Sequence, residues 1–198
     1  EMEQNNWRGM MFIGVPGSGK SAIARAFGNE AGVLTLALDF GAMESKYVGE
    51  SEANLRQVMR VIKAVGRGHA HVILTCNSLR GIRPQFQRRF RRGTFFFDLP
   101  TVKERAAIWQ LYLDKYELDR KQPRPSDEGW CGAEIRECCE SAWNCRTTLA
   151  EAAQFIVPVS QARADKIAEM RREAHGRFLD ASRPGTYQYD EAPMARQV

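Results

Sequence analysis

The strongest constraint on this chain is the stretch Gly14-Val15-Pro16-Gly17-Ser18-Gly19-Lys20-Ser21. It fits G-x-x-x-x-G-K-[ST], a phosphate-binding loop. An apolar run (Met10, Met11, Phe12, Ile13) precedes it, and a helical pattern (Ile23, Ala26, Phe27) follows. The motif therefore has its strand–loop–helix setting. Glycines let the backbone turn tightly and aim several N–H groups at one point, at a helix N-terminus whose dipole favours anions. Pro16, Gly17, Ser18, Gly19, Lys20 and Ser21 are the predicted nucleotide contacts. Lys20 is expected to reach the β- and γ-phosphates of ATP, and the Ser21 hydroxyl to ligate Mg²⁺. An unrelated Gly-rich turn is disfavoured, because the pattern arises by chance in roughly 1% of chains this long.

Composition narrows the class. The chain has 198 residues, 27% charged and 43% apolar. That is enough for one core plus a small second lobe. No apolar run approaches the ~20 residues of a membrane span, and no signal peptide is recognised. A cytoplasmic protein with no membrane contact is expected. Cys76, Cys131, Cys138, Cys139 and Cys145 lack paired C-x-x-C spacing, so buried thiols are favoured over zinc or disulfides. The net charge of +5 is compatible with nucleic acid, yet much of the surplus sits in Arg83, Arg88, Arg89, Arg91 and Arg92, for which another use is favoured.

Along the chain, strands are predicted at about Met10–Gly14, Val33–Leu38, His71–Thr75 and Thr94–Asp98. The continuous apolar character of the second and third marks buried parallel strands. Asp39, directly after the first helix, is judged a poor candidate for a metal-binding acid. Leu55, Val58, Met59, Ile62 and Val65 form the core face of a helix capped by Ser51. Asn77, at the carboxyl end of its strand, points toward the crevice where α/β proteins bind ligands. From Thr101 the pattern is helical throughout. Thr101 and Glu104 form a capping box, with Ile108, Leu111 and Tyr112 inward. A second helix from about Gly132 turns Ile135, Cys138, Cys139, Ala142 and Trp143 inward. A third, from about Ser160, uses Ile167, Met170, Ala174 and Phe178.

Together these residues resemble the AAA+ ATPases, in particular the protein-remodelling branch, over about Gly9 to Phe178. Gly14 to Ser21 matches the Walker A loop. Tyr47-Val48-Gly49 resembles a pore loop that grips a polypeptide inside a ring. Asn77 falls at the sensor 1 position, and Pro84 with Arg88-Arg89-Phe90 resembles the arginine-finger segment. Gly132-Ala133-Glu134-Ile135 looks like the start of the lid helix near the adenine, with Arg136 near a sensor 2 role. The resemblance implies ATP and Mg²⁺ as cofactors and self-assembly into a ring, in the family a hexamer. It also implies a protein substrate or adaptor as partner. Lys20, Asn77, Arg88 and Arg89 are the implied catalytic residues.

One departure stands out. The family carries a further strand ending in an Asp-Glu pair before the sensor 1 strand; here Gly66-Arg67-Gly68-His69-Ala70 leads directly to His71. Either a stretch is absent from this sequence, or the protein lacks the strand. The first is favoured, because Asn77 and the arginines serve little purpose without a catalytic Glu. A break in the Cα trace between Gly66 and His71 is its test.

The expected fold is therefore α/β: a three-layer P-loop domain with a parallel sheet (1–100), a small all-helical lid (101–180), and a C-terminal arm or tail (181–198). The expected function is an ATP-hydrolysing ring motor that remodels or threads a protein. The alternatives are an ATP-gated scaffold or adaptor with little hydrolysis, a DNA-directed loader, and a small-molecule kinase.

Overall fold

The computed structural model describes residues 8–31, 35–39, 57, 60, 64, 71–77, 90 and 92–189. The expectations for Tyr47, Val48, Gly49, Arg88, Arg89, the Gly66–Ala70 connection and the 190–198 tail fall outside these residues. So does the apolar face of the 51–65 helix, although Gln57, Arg60 and Ala64 are helical and exposed.

Five strands form one sheet: β1 (Arg8–Gly14), β2 (Thr35–Asp39), β3 (His71–Cys76), β4 (Thr94–Phe97) and β5 (Leu179–Asp180). Their order is β2-β3-β1-β4-β5, and every strand pair is parallel. The phosphate-loop strand β1 is thus central, between β3 and β4. Its unbroken apolar run is needed because both faces of the sheet are covered. Alternate residues go to opposite faces. Phe12 and Ile73 pack with Ala24 of α1 (Lys20–Ala31). Met11, Ile13, Val72, Leu74 and Phe96 pack with Met170 and Ala174 of the last helix. A helix on each side of a parallel sheet is the expected three-layer arrangement.

β2 pairs directly with β3 over five residues, from Thr35 opposite His71 to Asp39 opposite Thr75. Nothing stands between them in the sheet, so the further strand anticipated from the family pattern has no place there among the described residues. The Cα trace at Gly66–Ala70 lies outside the described residues, and so does the test set for an omitted stretch.

The second half is helical: α2 (Val102–Lys115), α3 (Gly132–Cys145), α4 (Leu149–Ala153), α5 (Val159–Ala162) and α6 (Ala164–Ala174). The Thr101 capping box forms as expected, with Glu104 N donating to Thr101 Oγ1 and Thr101 N to Glu104 Oε2. Trp109, Leu113, Trp130, Ile135, Cys138, Cys139, Ala142 and Leu149 make a core of their own. Cys131 joins the buried thiols, while Cys145 is exposed. Two inward assignments need correction. Leu111 is 61% and Trp143 55% exposed. On α2 the buried positions are Trp109 and Leu113, one residue further around the helix, and Trp143 lies at the surface, 6.0 Å from the Tyr116 ring.

The region set apart as an arm behaves differently up to Tyr189. The chain turns back after β5, and Tyr187 N donates to Phe178 O at 2.8 Å. The Tyr187 ring lies 4.5 Å from that of Phe96, and its hydroxyl donates to Asp98 Oδ2. Arg171 on α6 holds the same carboxylate through Nε (3.0 Å) and Nη2 (2.9 Å). The stretch is part of the domain core.

Candidate functional site

The phosphate loop leaves the carboxyl end of β1 and is fixed on two sides. Val15 N donates to Phe97 O at 2.9 Å, which holds the loop against β4. Gly14 cannot be replaced without strain there: its φ is +145° and a Cβ would fall 2.0 Å from Phe97 O. On the other side Gly17 O accepts a hydrogen bond from Ala133 N at 3.1 Å, at the first turn of α3. Gly17 has φ +77°, and a Cβ would meet Cys131 Sγ at 2.5 Å. The loop therefore sits at the junction of the sheet and the helical half.

Lys20 opens α1 and is only 7% exposed. Its Nζ donates to Gly14 O at 2.9 Å and Val15 O at 2.8 Å. Two carbonyls thus hold the ammonium inside the curl of the loop, where its charge adds to the N-terminal dipole of α1. The Ser18 hydroxyl is buried with no hydrogen-bond partner. An orphaned hydroxyl, a buried ammonium and a helix N-terminus are what an incoming phosphate would satisfy, so a phosphorylated ligand fits.

Beside the loop lies a cavity of about 480 Å³. It brings together Pro16, Gly17, Ser18, Gly19, Lys20, Ser21, Asn77, Gly132, Ala133 and Arg136, all sequence-predicted, around one space. Asn77 is exposed there, immediately after β3. Sequence reasoning missed other members of the lining: Ile108, Leu111 and Tyr112 of α2, Arg25 of α1, and Thr75 and Cys76 of β3. Ile108, Leu111 and Tyr112 have the spacing of a core face. That apolar stripe instead borders the cavity. Burial pushes the neighbouring Cys131 thiol up to about 11, so it stays neutral.

Ser21, the residue expected to ligate Mg²⁺, lines the cavity. A hard divalent cation of this size is usually held by one or two carboxylates besides phosphate. The described lining has none, and its charged members are Lys20, Arg25 and Arg136. Glu134, buried in the first turn of α3, has both oxygens engaged, by Cys131 N and Val159 N.

The family model for the ATPase family associated with various cellular activities (AAA) matches residues 10–68, from β1 through the loop and beyond. Over these residues the chain is similar to the AAA family. The chain is 27% identical over 176 residues to the uncharacterized AAA domain-containing protein ycf46 of Trieres chinensis, covering 66% of this chain and 35% of that protein. With Tat-binding homolog 7 of Caenorhabditis elegans it shares 28% identity (68% and 14% covered). It is also 28% identical to the human ATPase family AAA domain-containing protein 2B (68% and 13%). The chain thus spans about a third or less of these relatives. Because the 176 aligned residues draw on only 66% of the present chain, ycf46 carries residues inside that stretch that this chain does not. In fold, the domain is similar to the FIGL-1 AAA domain solved in complex with ADP, with a TM-score of 0.55, 18% identity, and 84% and 78% of the two chains covered. The structure reported for katanin self-assembly gives 0.55, 17%, 84% and 77%. No helix among the described residues is long and apolar enough to cross a membrane.

Proposed function

We propose that this chain is the ATP-binding module of an AAA protein that assembles with copies of itself and acts on a protein substrate or adaptor. The observation that carries the binding role is the loop itself: Lys20 held inside it, Ser18 unpartnered, and a cavity between sheet and helices beside both. The assembly role draws support from the family and from the katanin structure, whose subject is self-assembly. In this reading Asn77 faces the terminal phosphate, and Arg88 or Arg89 acts on the site of a neighbouring copy. Tyr47-Val48-Gly49 engages the substrate chain, and the helical half acts as the lid. Nucleic acid is the less favoured partner.

Two readings diverge on the step after binding. A ring motor needs a carboxylate to polarise the attacking water, since phosphoryl transfer depends on positioning and charge stabilisation. No acid lines the described cavity, β2 and β3 are direct neighbours, and ycf46 carries residues that this chain lacks. A protein that truly lacks the strand is the ATP-gated scaffold with little or no hydrolysis, and one that carries it beyond the given sequence is the motor. ATP titration of wild type and Lys20→Ala tests the binding role, with binding lost in the variant. Turnover per protomer, followed as concentration is raised, separates the other two. Turnover near background at every concentration fits the scaffold, whereas turnover that rises on assembly and disappears in Lys20→Ala restores the motor.

A further inference from the structure

One peptide unit at the end of β4 meets both the phosphate loop and the C-terminal return. Its carbonyl, Phe97 O, accepts Val15 N at 2.9 Å, and a Cβ on Gly14 would fall 2.0 Å from it. Its other end is Asp98. That carboxylate accepts four donors: Arg171 Nε and Nη2 of α6, the Tyr187 hydroxyl, and Leu99 N. Burial and the adjoining carboxylate push the Tyr187 hydroxyl upward, so it stays protonated and remains a donor. The preceding residue is held by the same return. Phe96 O accepts Ala181 N at 3.1 Å, and the Phe96 ring lies 4.5 Å from that of Tyr187. The end of β4 is therefore gripped by the loop from β1 on one side, and by α6 with the chain after it on the other.

On the reading that the loop binds nucleotide phosphate, we propose that Asp98, held by Arg171 and Tyr187, is a positioning residue for the phosphate loop. A planar guanidinium fork and a hydroxyl together fix the orientation of the carboxylate. The peptide that carries Phe97 O is planar and ends on the Asp98 Cα, so its orientation is fixed as well. Phe97 O in turn sets the direction of Val15 N, where the loop begins its curl. Phosphate binding draws on N–H groups that converge before the ligand arrives. When Asp98 is loosened, the loop has to be ordered during binding, and affinity falls. Coupling of this kind is reciprocal, so a bound nucleotide tightens the C-terminal return.

The test is ATP affinity by calorimetry in millimolar MgCl₂, on variants whose circular dichroism matches the wild type. Tyr187→Phe is expected to bind about fivefold more weakly and Asp98→Asn at least about tenfold more weakly. Should Asp98→Asn fail to fold, Tyr187→Phe alone decides. Thr148→Ala is the control for a loss of stability alone. It removes the side-chain cap of α4, a change of comparable cost to stability, and is expected to bind within about twofold of wild type. Hydrogen exchange reads the reciprocal effect. ATP is expected to slow exchange at Ala181 N and Tyr187 N more than at Ala152 N of α4, and to slow none of them in Lys20→Ala. Tyr187→Phe within about twofold of wild-type affinity, or equal slowing at all three amides, overturns the inference and leaves the nucleotide site intact. Absence of ATP binding by the wild type removes the nucleotide reading, and this inference with it.

Discussion

Tyr187 offers a graded test of how the C-terminal return is held. Its hydroxyl donates to Asp98 Oδ2, and its ring, 5% exposed, lies 4.5 Å from Phe96. Tyr187→Phe removes the hydrogen bond alone. Asp98 is not orphaned by the change, because Arg171 Nε and Nη2 and Leu99 N still donate to it. The loss should therefore fall at the low end for a bond to a charged group, about 1.5 kcal/mol. Tyr187→Ala removes the ring as well, and truncating a buried aromatic costs about 3–5 kcal/mol. In a chain of this size the Phe variant should melt about 3–6 °C below wild type. Urea unfolding followed by circular dichroism reads both, as midpoints that shift at constant slope. A Phe variant within about 0.3 kcal/mol of wild type would refute the hydrogen-bond reasoning. An Ala variant no worse than Phe would show that the ring is not part of the core.

Gly17→Ala places a methyl 2.5 Å from Cys131 Sγ and 2.9 Å from Ala133 Cβ, at φ +77°. It should cost about 1–3 kcal/mol in stability and lower ATP affinity at least tenfold, both measured on the same preparation. Of the five cysteines only Cys145 is exposed, so Ellman's reagent at pH 8 should titrate one thiol quickly and the rest only on unfolding. Burial raises Cys131 and Cys138 to about 11 and Cys139 to about 12, above the ordinary 9.0 of a thiol. As pH climbs past 9 the unfolded chain releases these protons first. Stability is therefore expected to be full below pH 9 and to decline from there through about pH 12, as read by urea midpoints across that range.

Much of the α/β half was legible because its signals are local. The loop motif fixes a strand before it and a helix after it, and the apolar runs at Met10 and His71 name strands covered on both faces. The capping pair Thr101–Glu104 marks a helix start for the same reason: both partners lie within one turn. What was not legible depends on partners distant in sequence. Leu111 and Tyr112 have the spacing of a core face, and only the placement of α3 beside α2 turns that stripe toward the cavity. Arg25 carries no signal at all in sequence; it matters because α1 starts at the loop and brings it to the same rim. The return of Tyr187 to Asp98, 89 residues earlier, has no local signature either. The prolines and glycine around it suggest a free arm.

The hydrogen bond from Ala133 N to Gly17 O ties the loop to one end of a rigid rod. α3 has 14 residues and, at 1.5 Å per residue, is about 21 Å long. Its first turn is pinned to the loop, and its far end leads to α4. If a phosphate repositions Gly17 so that α3 swings by about 10° around that pin, its far end travels about 3–4 Å. A shift too small to notice at the ligand is thereby delivered at the surface at a size that a docked neighbour would register. In such a swing the loop would be the short arm of a lever, and α3 the long one.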